Sequence, residues 1–394
     1  MPLDAAPRPS PPHPPRQSFD CGNVLDAARA RLRWVFDLYE RGVLKFIIVS
    51  VSGGKDSTVL AHLALQEARC RGVRIGLYFL DEEVVYESTV AQVRYLMELY
   101  PENTIPLWLQ IPFALTNATS LTEGQFIVWE PGKHELWMRP KLEWAIKAKP
   151  WAAETETVRN RAKGFGFYDV IENFERCYDR TAFLVGLRGM ESPNRWRAVT
   201  KNPVAVGGDT CFWGTMRGGE GSVALYPLYD WNFTDVWRYL HEHGVKYSRI
   251  YDLQFRKGYP IHESRVSSLI HERSFKALCD LPEFEPKTYA RLLKRVKGIA
   301  LAQETAKSAQ LFRARSLPKA FRSWRAYRDH LIATHPDPSK VPLFTRRFER
   351  QRNNEFVARQ QVRQLVLGDY ENNVPVRDED DPRDALLRYY EEVL

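Results

Sequence analysis

The sequence predicts an α/β protein with a doubly wound, mostly parallel sheet and a helical C-terminal extension. Three observations predict it. Short apolar runs at Lys45–Val51, Val73–Leu80, Leu107–Ile111 and Thr181–Leu187 are interleaved with segments of helical periodicity, the rhythm of strands joined by crossover helices. A glycine turn, Ser52-Gly53-Gly54-Lys55-Asp56-Ser57, joins the first run directly to the apolar segment Thr58–Leu65. Beyond Pro286 the pattern becomes helical and basic, with no strand signal.

Each element can be justified in order. Residues 1–18 are rich in proline and read as a disordered leader that cannot pack a core. Val24, Leu25, Ala28, Leu32, Val35, Phe36 and Tyr39 recur at helical spacing, giving an amphipathic helix before the first strand. The second strand ends in Asp81-Glu82-Glu83, at the carboxyl edge where open parallel sheets bind ligands. Tyr86–Leu99 reads as the next helix. Gln125–Arg139 alternates apolar and polar residues about Pro131-Gly132, so a hairpin over the site is expected; Trp129 and Trp137 would stack on a ligand or pack across its strands. Six glycines within residues 207–222 suggest a mobile loop. The domains expected are therefore the leader, an α/β domain over 19–285, and a basic helical region over 286–394 with the acidic tail Asp378-Glu379-Asp380-Asp381.

Composition narrows the function classes. The net charge of +8 favours anionic partners without specifying nucleic acid. No apolar stretch approaches a membrane span and the N-terminus lacks a signal-peptide core, so a cytoplasmic protein without a membrane partner is expected. Cys21, Cys70, Cys177, Cys211 and Cys279 are scattered and never form C-x-x-C. That argues for free thiols over a disulfide framework or zinc ribbon.

The hexapeptide carries the chemistry. Adjacent glycines let the backbone turn its N–H groups onto an anion, and the following helix adds the positive end of its dipole. Lys55 supplies a point charge, and the hydroxyls of Ser52 and Ser57 can donate. The gap before the lysine is too short for a Walker A loop. The segment resembles instead the SGGxDS signature of the PP-loop ATP pyrophosphatases. Two later segments extend the resemblance. Val185-Gly186-Leu187-Arg188-Gly189-Met190-Glu191-Ser192-Pro193-Asn194-Arg195 is similar to the G-x-R-x-x-E-S-x-x-R element of the PAPS reductase and sulfate adenylyltransferase branch, and Pro227–Trp237 resembles that branch's P-x-x-D-W element. Tyr247–Leu253 and Arg265–Phe275 look like a little-characterised subgroup.

The resemblance implies an adenine nucleotide alpha-hydrolase-like (PP-loop) fold and a site that takes ATP, or PAPS or APS, with Mg²⁺. Carried over position by position, the nucleotide is bound by Ser52, Gly53, Gly54, Lys55, Asp56, Ser57, Leu80, Asp81, Gly186, Arg188, Glu191 and Arg195. Lys55, Asp56 and Arg188 are the catalytic candidates. Asp56 and Asp81 are candidates for Mg²⁺ contact, Asp56 having the competing reading of a helix N-terminal residue favoured by the dipole. Arg188 can fork onto phosphate or sulfate oxygens with Arg195 adding charge, and Glu191 could hold an arginine or receive a metal. Asp230-Trp231 and Asp235-Val236-Trp237 read as structural, an aspartate capping a helix whose Trp237 is buried. His262 and Arg265 could face the nucleotide or be ordinary surface residues.

Two chemistries follow from the resemblance. Sulfonucleotide reduction uses a mobile cysteine in a C-terminal Glu-Cys-Gly-Leu-His motif, which is absent; the last cysteine, Cys279, sits in a helical pattern far from the end. Adenylation needs no cysteine, so an ATP-dependent enzyme that adenylates an unidentified acceptor and releases pyrophosphate is expected. The alternatives are a sulfonucleotide enzyme and a nucleotide-binding regulator without efficient turnover. Phe321–Arg328 interleaves cations with aromatics and could bind nucleic acid or be a solvated helix with its rings packed inward. Relatives of the subgroup tend to be associated with a ParB-like partner protein.

Overall fold

A computed structural model of the chain describes residues 21–370, except 121–122, 160–163, 192, 201–202, 262–263, 272–273, 301, 303–316 and 319, together with 372 and 376. The proline-rich leader and the acidic tail lie outside the described residues, as does His262. The chain divides into two compact units, Met1–Leu115 with Ile127–Ser268, and Thr116–Phe126 with Leu269–Leu394. The division after Ser268 precedes the expected one at 285, and residues 116–126 join the second unit.

The first unit begins with α1 (Val24–Glu40), capped by the Asn23 side chain, which accepts from the Asp26 N–H at 2.9 Å. Then follow β1 (Phe46–Ser50), α2 (Lys55–Arg71), β2 (Ile75–Leu80), α3 (Glu87–Glu98) and β3 (Thr104–Leu109), with β4 (Phe113–Thr116) and β5 (Gln125–Val128) each divided between the units at Thr116 and Phe126. Next come α4 (Phe167–Arg176), β6 (Thr181–Val185), α5 (Pro193–Thr200), β7 (Val204–Val206), β8 (Asp209–Cys211), β9 (Gly214–Met216), β10 (Val223–Leu225), α6 (Phe233–Glu242) and α7 (Ile250–Arg256). The main sheet has the order β3-β2-β1-β6-β10-β9. Its strands pair in parallel except at the edge, where β9 runs antiparallel to β10. Ile48, Val49, Leu77, Leu184 and Ala224 are buried in the sheet. Helix α2 is buried on every side from Ser57 to Leu65, where its sequence is mostly apolar.

Two expectations are corrected here. The glycine-rich stretch 207–222 contains strands β8 and β9 rather than a mobile loop. Gly207 and Gly208 take φ of +62° and +91° and close the β7–β8 hairpin as a tight two-residue turn. A Cβ on Gly214 would meet Leu225 at 2.7 Å, so that glycine serves close packing. The hairpin over 125–139 is also not formed: β5 runs into a short 3-10 helix at Pro131–Leu136 with Pro131 at its start, because Pro131 lacks the N–H a second strand would need. Trp129 and Trp137 pack edge to face at 5.4 Å.

The second unit is helical among its described residues beyond 269: α8 (Phe275–Phe284), α9 (Pro286–Arg295), α10 (Trp324–Ala333), α11 (Val341–Phe348) and α12 (Glu355–Val366). Phe344, Phe348 and Leu365 form a buried cluster, with Leu331, Ile332 and Tyr370 packed against it. Ser323 and Asn354 cap α10 and α12 through side-chain acceptors. Among the described residues, no helix is long and apolar enough to cross a membrane.

Candidate functional site

The strand order reverses between β1 and β6. Such a switch point opens a crevice at the carboxyl edge of the sheet. Ser50 pairs with Val185 across it, so the loop after β1 and the Gly186–Arg188 segment after β6 leave the sheet level with one another. Two glycines make this approach close. Gly53 has φ +70°, and a Cβ there would lie 2.7 Å from Thr89 Cγ2. A Cβ on Gly186 would lie 3.0 Å from the Asp56 carbonyl and the Ser57 nitrogen. The β6 exit therefore rests against the first turn of α2.

The loop holds its own shape. The Ser57 hydroxyl donates to the Gly54 carbonyl at 3.0 Å and accepts from the Ser52 N–H at 3.1 Å, and the Ser52 and Ser57 hydroxyls lie 3.0 Å apart. First-turn amides of a helix have no intrahelical partner. One of them, the Lys55 N–H, donates to the buried Tyr251 hydroxyl at 3.0 Å. Burial holds the Lys55 ammonium below its ordinary range, Arg188 and Arg265 push the same way, and Asp56 opposes them.

Charge converges on Asp56. Arg188 Nε donates to Asp56 Oδ1, Lys55 Nζ donates to Oδ2 at 3.2 Å, and Arg188 Nη2 reaches Glu191 at 2.9 Å. Glu191 also pairs with Arg195. The structure thus brings Ser52, Gly53, Gly54, Lys55, Asp56, Ser57, Gly186, Arg188, Glu191 and Arg195 to one edge. Arg188 is buried, so its guanidinium is fixed by two carboxylates before any anion arrives. Loop amides, a helix N-terminus and fixed cations together make an anion cradle.

Asp81 departs from its expected role as a metal and nucleotide contact. It is fully buried. Its carboxylate accepts from Trp108 Nε1 at 2.8 Å, Gln110 Nε2 at 2.9 Å, the Glu83 N–H at 3.0 Å and the Arg139 guanidinium. Four donors occupy both oxygens, so Asp81 is an internal anchor, and Leu80 beside it is buried at the strand end. Glu83 completes the anchor by accepting from the Trp129 N–H at 2.5 Å and the Met138 N–H at 3.3 Å. Both Glu83 and Trp129 take positive φ, +61° and +50°, a cost that this network of bonds over-determines. Glu82 remains half-buried between them; burial, with Asp81 adding to it, pushes its carboxyl up to about 7 against the pull of Ser268.

The Asp-Trp element fastens the scaffold. Asp230 holds the buried Arg31 of α1 bidentately at 2.7 and 2.8 Å, and Trp231 Nε1 donates to the Val24 carbonyl at 3.0 Å. The helix cap is Asn232, whose N–H donates to Asp235 at 2.7 Å. Trp237 is half-buried on α6 with its indole nitrogen inaccessible, and packs edge to face on Tyr247 and the buried Tyr251 at 5.1 and 5.2 Å. This ring cluster orients Tyr251 toward the loop. The sequence does not announce this role of Tyr251, because an isolated tyrosine in a helical pattern carries no signal for a bond made 196 positions away.

Residues 46–258 match the family model for the phosphoadenosine phosphosulfate reductase domain, more than half of the chain. The chain belongs to that family. It is 28% identical over 281 residues to the uncharacterized protein YbdN of Escherichia coli, a match covering 70% of this chain and 66% of that protein. It is 24% identical over 239 residues to the adenosine 5'-phosphosulfate reductase of Staphylococcus saprophyticus, covering 61% of this chain and 77% of that one. Among solved structures, the phosphoadenylyl-sulfate reductase of Candida auris in a phosphate complex is similar at 16% identity and a TM-score of 0.32, covering 57% of this chain and 84% of the other. The FMN adenylyltransferase of Candida glabrata with FAD and inorganic pyrophosphate is similar at 14% identity and a TM-score of 0.35, covering 58% of each chain. Within this PAPS reductase domain, Cys211 is buried with its thiol pushed up to about 12 by that burial, and burial also raises Cys177. Cys70 lies at the far end of α2 from the loop, roughly 20 Å along the helix axis.

Proposed function

We propose that the chain binds an adenine nucleotide at Ser52–Ser57 and transfers adenylate to an acceptor with release of pyrophosphate. The observation that carries this reading is the Arg188–Asp56–Lys55 network against the glycine turn. It presents buried cations and loop amides to a polyphosphate. An acceptor oxygen attacks the α-phosphorus, the bond from that phosphorus to the bridging oxygen breaks, and pyrophosphate leaves with the bonding pair. The loop amides and Ser57 hold the leaving group, Lys55 and Arg188 neutralise the charge that grows on it, and positioning supplies much of the rate. Mg²⁺ enters as part of the nucleotide. Asp56 fits it, since its side chain is 17% exposed at the cradle and each oxygen keeps a second lone pair; the four-donor Asp81 does not fit it.

A second reading, binding of APS or PAPS, is favoured by the family match and by the names of the reductase relatives. Reduction would need a thiolate nucleophile at the sulfur, and the sequence holds no cysteine after Cys279. Calorimetric titration with ATP, APS and PAPS, each with Mg²⁺, tests both readings when pyrophosphate is followed in the same samples. Preference for ATP with pyrophosphate release supports adenylation. Preference for PAPS or APS transfers the site to the second reading, and no nucleotide binding removes both.

A further inference from the structure

The second unit carries a charge pattern that the nucleotide site does not use. Residues 321–370 hold ten Lys and Arg against five Asp and Glu, a net +5 that is more than half of the chain's +8. The fold sorts these cations. Arg347 is turned inward onto the carbonyls of Asp369 and Tyr370 at 2.6 and 2.8 Å, and Arg328 is tied to Gln361 at 3.0 Å. Arg322, Arg325, Arg359 and Arg363 remain exposed. Arg325 lies on α10, Arg359 and Arg363 lie on α12, which packs against it, and Arg322 stands just before α10. The Arg359 guanidinium lies 5.6 Å over the Trp324 ring, and Arg325 bonds Glu355 at 2.8 Å. Arg359 and Arg363 are one turn apart on the exposed row of α12, about 6 Å along its axis.

The aromatic residues interleaved with these cations face one another. Phe321 lies 4.6 Å from Tyr327 and 5.1 Å from His330, and Trp324 lies 6.4 Å from Tyr327. Rings engaged in this way are poor platforms for unstacked bases. The large exposed apolar residues include Leu343 on α11 but none on α10 or α12, so this pair has no apolar anchor of the kind that centres a protein interface. Four guanidiniums against two exposed acids, Glu355 and Asp329, with no apolar anchor, suit a partner that offers regularly spaced anions. We propose that Arg322, Arg325, Arg359 and Arg363 bind the phosphate backbone of duplex nucleic acid without reading its sequence. The proposal does not depend on the nucleotide reading.

The test is fluorescence anisotropy of the full chain with a labelled random-sequence duplex, titrated at salt concentrations from about 50 to 200 mM. Four phosphate contacts give a slope of log affinity against log salt of about −3 to −4. Arg359→Glu with Arg363→Glu is expected to weaken binding about tenfold or more at the lowest salt and to reduce the slope by about two. Arg346→Glu with Arg350→Glu, the same charge change on α11 and just beyond its end, is expected to cost less than about threefold, as a screened charge outside the proposed contact. The pair Arg359→Gln and Arg363→Gln, which favours helix as strongly as arginine, serves where the reversal alters the circular dichroism spectrum, with the same direction expected. Absence of duplex binding, equal losses from the two reversed pairs, or polyglutamate bound as tightly as the duplex would each overturn the assignment.

Discussion

The ends of β1 and β2 lie side by side at one edge of the sheet, and both run into acidic residues. At the end of β1, Asp56 is bonded by Arg188 and Lys55 and keeps part of its side chain open. At the end of β2, Asp81 is closed off by four donors and carries the Trp129–Arg139 segment against the strand. The same side chain thus serves an open anion cradle in one place and an internal anchor in the other. What separates them is the identity of the neighbours: mobile ligand atoms can compete for Asp56, whereas Trp108, Gln110 and Arg139 are themselves packed around Asp81.

The largest effect expected from breaking this contrast is at the anchor. Asp81→Ala leaves the Arg139 guanidinium buried without its carboxylate, and removing one partner of a buried pair costs about 3–5 kcal/mol. Thermal unfolding should show a large fall in Tm, while Asp56→Ala, at the partly open site, shows a much smaller one. Equal falls would mean that the two carboxylates are not differently used.

Glu175 sharpens the contrast, because it is a buried carboxylate whose ionic partner is Arg217, at 2.5 Å. Burial wins over that arginine, and its carboxyl is pushed from 4.5 up to about 7. The folded state therefore binds this proton more tightly than the unfolded chain, and stability falls as pH rises between 4.5 and about 7. Glu175→Gln removes that loss, worth about 3 kcal/mol. The Tm of the variant relative to the wild type should be more favourable at pH 8 than at pH 5; a difference independent of pH would show that Arg217 compensates the charge fully.

At the cradle the readout is affinity. Arg188→Ala removes a charged donor worth about 1.5–3 kcal/mol, so nucleotide affinity should fall about 10–100-fold in calorimetry. Arg188→Lys should recover only part, since a lysine cannot span Asp56 and Glu191 with a planar fork. Unchanged affinity in both would detach the nucleotide from the β6 exit.

Much of this was legible in the sequence because it is local. The strand, glycine turn and helix at Phe46–Arg71 follow from contiguous residues. Arg188 and Glu191 were legible through the resemblance of Val185–Arg195 to a family element. The fate of Asp81 was not, since its donors Trp108, Gln110 and Arg139 come from two later segments and no periodicity announces them. The glycines at 207–222 misled for a related reason: a glycine required by close packing, such as Gly214 against Leu225, has the same letter as one that loosens a loop. Helical spacing indicates that Trp237 is covered but not that Tyr247 and Tyr251 are what cover it.

The smallest expected effect isolates that cluster. Tyr251 accepts the Lys55 N–H at 3.0 Å from a fully buried ring wedged against Trp237, so it orients the first turn of α2 while the remaining amides stay directed at the cradle. Tyr251→Phe keeps the ring and deletes the acceptor, leaving a buried N–H whose loss costs about 1–3 kcal/mol if no water replaces the hydroxyl. Nucleotide affinity should fall by about 5–10-fold with little change in the fold's spectrum. Replacing the ring, as in Tyr251→Ala, should cost more in stability than in affinity. If Tyr251→Phe instead binds nucleotide more tightly, the Lys55 N–H belongs to the ligand, and the tyrosine hydroxyl competes with the phosphate for that amide.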